Sequence, residues 1–106
     1  MKLLNEIGDV TYFEFCQQEY YALMVVKKLK KHEYSFSKSF KLYLEYVGGE
    51  SLLEVQTEGM PKKLSEQDAL MRCLMSDGNK DNTVSEIKKS FYEAVNCPVL
   101  IDAGLL

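Results

Sequence analysis

Seven consecutive apolar residues, Tyr20-Tyr21-Ala22-Leu23-Met24-Val25-Val26, limit how this chain can fold more than any other feature. A strand that is apolar at every position has two faces to bury, so this run predicts a strand covered on both sides, or an interior strand. Ahead of it, Val10-Thr11-Tyr12-Phe13-Glu14-Phe15 is rich in β-branched and aromatic residues that fit a pleated surface. The link Cys16-Gln17-Gln18-Glu19 is short enough for a hairpin, so the two strands pair antiparallel. Alternation along the first strand sends Tyr12 and Glu14 to one face and Thr11, Phe13 and Phe15 to the other.

Helical periodicity takes over next. Ser35 or Ser37 opens a helix whose Phe36, Phe40, Tyr43, Leu44 and Val47 form one stripe, and Gly48-Gly49 ends it. Residues 50–59 fit two patterns. Ser51 and Glu54 match a capping box with Gly59-Met60-Pro61 as the stop, whereas Leu53, Val55 and Thr57 alternate as in a strand; the balance falls to helix. Ser65 with Asp68 caps a helix striped by Ala69, Leu70, Cys73 and Leu74. Thr83 with Glu86 caps another, striped by Val84, Ile87, Phe91 and Val95 and ended at Asn96-Cys97-Pro98. Val99-Leu100-Ile101 reads as a last, buried strand that rejoins the sheet. The expected fold is α+β: a small, three- to four-stranded, largely antiparallel sheet against three or four helices, one domain over residues 1–106.

The chemistry open to such a chain is narrow. Cys16, Cys73 and Cys97 are odd in number, widely spaced and set beside apolar neighbours, which predicts buried, reduced thiols rather than a disulfide or zinc framework. The opening residues Met1-Lys2-Leu3-Leu4-Asn5-Glu6 lack the apolar run of a secretion signal, and no apolar stretch is long enough to span a bilayer. A cytoplasmic, soluble protein is expected. The loop Asp77-Gly78-Asn79-Lys80-Asp81-Asn82 alternates like a calcium loop, but Asn82 stands where glycine is needed and Lys88 where a bidentate glutamate is needed. His32 is the one histidine and lies beside a lysine cluster, which suits a surface position. Ser35/Lys38 and Ser85/Lys88 have S-x-x-K spacing without the companion motifs of the enzymes that use it. No catalytic set, metal site or cofactor is expected.

Charge placement is more informative. Residues 1–53 carry seven basic and seven acidic side chains; residues 54–106 carry six and nine, so the whole net charge of −3 lies in the second part. That balance disfavours direct nucleic-acid binding, which needs clustered Lys and Arg. Between residues 50 and 68, Glu50, Glu54, Glu58, Glu66 and Asp68 face only Lys62 and Lys63. An acidic face of this kind attracts a basic protein partner.

In its size, acidity, order of elements and lack of a catalytic set, ending on Val99-Leu100-Ile101-Asp102, the chain resembles the small immunity proteins of contact-dependent growth inhibition systems. The resemblance implies a non-enzymatic inhibitor that binds a cognate basic toxin, a nuclease, and masks its active site or substrate groove. Glu54, Glu58, Asp77 and Asp81 are the expected contacts, with Tyr46 and Tyr34 as exposed aromatic anchors on a monomer. Two alternatives differ in kind. One is a ligand-binding or enzymatic domain with a pocket between hairpin and helices, where Cys16 or His32 would act. The other is a subunit that oligomerises through the Tyr20–Val26 strand.

Overall fold

A computed structural model describes residues 10–18, 20–28, 32–76 and 81–102. Eight elements follow in order: β1 (Val10–Phe15), β2 (Tyr21–Lys27), α1 (His32–Tyr46), α2 (Leu52–Glu58), β3 (Lys62–Leu64), α3 (Glu66–Leu74), α4 (Val84–Glu93) and β4 (Cys97–Asp102). The strands form one sheet in the order β3-β1-β2-β4, and every neighbouring pair is antiparallel. The expected α+β architecture is thus the one observed.

The all-apolar strand is covered on both faces and lies between β1 and β4 in the sheet. Ala22, Met24 and Val26 join Phe13, Phe15, Phe40, Tyr43 and Val55 in one core, beneath α1 and α2. Leu23 and Val25 join Tyr12, Ala69, Cys73, Ile87 and Phe91 in a second core, beneath α3 and α4. Helices therefore cover both faces of the sheet. Because β1 and β4 occupy both sides of β2, that strand has no free edge for oligomerisation.

The outer edges are poor templates for further pairing. β3 has three residues, two of them lysines. β4 carries Pro98, which has no N–H to offer, beside a shift in register where Leu23 pairs with Leu100 but Met24 with Pro98. Short, charged or proline-bearing edges resist edge-to-edge association.

The caps fall where the sequence places them. The Glu54 N–H donates to Ser51 Oγ and the Asp68 N–H to Ser65 Oγ, each at 3.1 Å. Thr83 and Glu86 complete a reciprocal box, with the Thr83 N–H donating to Glu86 Oε1 at 2.8 Å. At α2 the reach-back is displaced by one residue, since Glu54 Oε1 accepts from the Glu50 N–H at 2.9 Å.

Three details differ from expectation. α1 starts at His32, ahead of both candidate caps, and Ser35 is buried within it. α4 stops at Glu93, so Val95 lies beyond the helix and is exposed; β4 already begins at Cys97 and, being an edge strand, is half-buried with Ile101 exposed rather than buried. β3 is a strand at residues 62–64, where the sequence marks no element.

One side chain fastens the hairpin to α1. The Tyr43 hydroxyl donates to the Tyr20 carbonyl at 2.7 Å and accepts from the Tyr20 N–H at 3.2 Å. Tyr43→Phe leaves both backbone groups without this partner, and the expected loss is about 1–3 kcal/mol of unfolding free energy. Urea denaturation of the two proteins measures it, and a change below about 0.5 kcal/mol would show that water replaces the hydroxyl.

Candidate functional site

α2 is short, and its sequence divides it cleanly. Val55 is buried and Leu52 packs on the first core, whereas Leu53 points away from both and is 70 % exposed. Glu58 is exposed and Glu54 partly so. Glu54 and Glu58 stand four residues apart on α2, which places them in one row, and Glu50 lies just ahead of the cap. Met60, just past the helix, is 59 % exposed, and Tyr46, at the end of α1 that leads into this segment, is 48 % exposed. Tyr34 is exposed on the same helix. The region therefore combines an acidic row with large apolar side chains in water.

The residues singled out from sequence do not all share this surface. Tyr46, Glu54 and Glu58 belong to the α1/α2 layer. Asp81 is exposed just ahead of α4, in the layer on the opposite face of the sheet. Asp77 lies outside the described residues, as does the side chain of His32. Leu53 and Met60 escaped the sequence reading because residues 50–59 fitted strand as well as helix. Only the helical period places Leu53 opposite Val55 and Leu52.

Elsewhere, strongly perturbed ionisable groups have structural causes. Glu14, on the α3/α4 face, is buried, and its Oε2 accepts from Arg72 Nε and from the Tyr21 hydroxyl, both at 2.7 Å. Burial pushes its pKa up, but those two hydrogen bonds and the nearby charges of Arg72 and Lys62 outweigh burial and hold it below the usual carboxylate range. Burial, then the bond to Glu14, raises the Tyr21 phenol. Burial also raises Tyr12, and pushes the Cys73 thiol up to about 11, where little thiolate forms at neutral pH. The Tyr92 hydroxyl donates to Glu66 Oε2 at 3.0 Å and ties α4 to α3. Of the three cysteines expected to be buried, only Cys73 is; Cys97 is half-buried and Cys16 is exposed, because it stands at the hairpin turn past the end of β1. Among the described residues no three His, Cys, Asp or Glu side chains are grouped to hold a metal ion. No helix among them is long and apolar enough to cross a membrane.

The Glu14 network makes stability pH-dependent in a definite direction. A carboxyl depressed by folding contributes stability that is present above its unfolded pKa and lost as pH falls through the folded value. Arg72→Ala leaves Glu14 buried without its cation. Because Arg72 is itself 46 % exposed, the expected cost is about 1.5–3 kcal/mol at neutral pH rather than that of a fully buried pair. The difference between wild type and R72A should shrink as pH drops below about 4. Thermal melts across pH test this, and a pH-independent difference would contradict it.

A family model described as YosH C-terminal domain matches residues 10–101, which takes in all four strands. No curated protein and no solved structure matches the chain.

Proposed function

The chain belongs to the YosH C-terminal domain family, and for this member we propose a non-catalytic protein-binding module that neutralises a basic protein partner. The observation that carries this reading is Leu53, 70 % exposed on the outer side of α2, the helix that also carries Glu54 and Glu58. An apolar anchor rimmed by charge of one sign is how a protein interface is built, with the anchor supplying affinity and the rim setting the encounter rate. Carboxylates four residues apart repel by a few tenths of a kcal/mol, a cost that a cationic partner reverses. The same surface suits the immunity-protein reading, in which the partner is a basic nuclease toxin whose active site or groove is masked, in the cytoplasm.

The test is recovery of bound proteins from the native host by the wild-type chain and by a Leu53→Ser/Glu58→Lys variant. A basic protein enriched by the wild type is expected to fall at least tenfold with the variant, and its association rate to drop as salt rises. Equal recovery by both chains, or only acidic proteins, would remove the α2 surface as the binding face. Neither substitution touches a core residue or a cap, so the variant should melt within about 0.5 kcal/mol of wild type.

A further inference from the structure

On the other face of the sheet, α4 and β4 enclose an open groove of about 580 Å³. Its lining includes the buried Ile87 and Phe91 and the half-buried Pro98 and Val99, with Glu86 and Glu93 at its margin. The size falls within the range of small-molecule sites, and the wall mixes these apolar side chains with the polar Asn82, Ser90, Glu86 and Glu93 in about equal measure.

Two features set this groove apart from an ordinary seam between helix and strand. First, Cys97, Pro98 and Val99 are consecutive and all line it, although regular strand alternation turns neighbours to opposite faces. The shift in register against β2 leaves Val99 as an extra residue, and such a bulge re-aims side chains. Second, the charge at the margin has one sign. Glu86 spends one oxygen on the Thr83 cap, while Glu93 is exposed and has no hydrogen-bond or ion-pair partner among the described residues. Lys89 stands one turn before Glu93 but neither lines the groove nor pairs with it.

We propose that the groove between α4 and β4 is a binding site for a small amphipathic amine. The apolar body rests on Ile87, Phe91, Pro98 and Val99, and the ammonium donates to the Glu93 carboxylate. This site is separate from the α2 surface and does not rest on the partner proposed for it.

The probe is 4-phenylbutylammonium, with 4-phenylbutyrate as its charge-inverted counterpart. Titration of the full chain, followed by backbone amide shifts, is expected to move residues 84–99 with the amine, at a dissociation constant of about 1 mM for so small a ligand. The carboxylate should leave them in place. Occupancy should also slow alkylation of Cys97, read by site-resolved mass spectrometry, without changing that of Cys16. Glu93→Gln should weaken the amine roughly tenfold, as loss of a charge-assisted hydrogen bond requires, whereas Glu58→Gln should not. The proposal is overturned if the amine moves no resonance in 84–99, if both probes bind equally, or if E93Q binds the amine as well as wild type.

Discussion

Replacing Phe15 by alanine is expected to lower the unfolding free energy by about 3–5 kcal/mol, the range for removing a large buried aromatic side chain. Phe15 is fully buried, edge-on to Phe40 at 5.5 Å between ring centres and tilted against Tyr43 at 4.9 Å. Its ring fills the space where the hairpin meets α1, against Phe40 and Tyr43. A protein of this size has about 5–15 kcal/mol in total, so the variant should melt more than about 10 °C lower. Because Phe15 also supports the ring whose hydroxyl holds Tyr20, F15A and Y43F should not be additive; a coupling of at least about 0.5 kcal/mol is expected from a double-mutant cycle. Full additivity would mean that the ring contact and the hydroxyl latch act independently.

The parts of this fold that were legible in the sequence are those with a local physical cause. A strand apolar at every position needs cover on both faces, and β2 has it. Ser51, Ser65 and Thr83 each cap a helix because a side-chain oxygen three residues ahead of a free N–H satisfies it wherever the helix later packs. What could not be read depended on distant partners. β3 is Lys62-Lys63-Leu64, too short and polar to announce itself, and it is a strand because β1 offers it a ladder through Tyr12, Phe13 and Glu14. The start of α1 was displaced because Ser35 has the composition of a cap yet is buried within the helix. The candidate surface was half visible for the same reason. Linear charge counting found Glu54, Glu58 and Asp81 together, but only the layering of helices on the sheet separates Asp81 from the other two. The groove beside β4 had no signal at all, since a register shift is a property of two strands.

Gly59→Ala should cost about 3 kcal/mol or more, a large effect for one methyl group at a half-buried position. Gly59 ends α2 with φ 150° and ψ 171°, a region open in practice to glycine alone. A Cβ there would stand 2.7 Å from the Cβ of Gln17 and overlap that side chain's amide oxygen. Relief by moving Gly59 is blocked from the other side. Its carbonyl accepts from Gln18 Nε2 at 2.6 Å, and the same amide donates to the Val55 carbonyl at 3.1 Å. Gln18 is buried and its Oε1 has no partner, so those two carbonyls alone hold the side chain. Displacing one leaves a buried amide partly unsatisfied and loosens the hairpin turn from α2 together. Gly48→Ala is the matched control, because Gly48 has φ 143° with nothing within 4 Å of an added Cβ. It should show the backbone penalty alone, about 1–2 kcal/mol. Urea denaturation of the two variants separates the contributions: a G59A loss no larger than that of G48A would show that contact with Gln17 and the Gln18 clamp contribute nothing, and that α2 is fixed by Val55 alone.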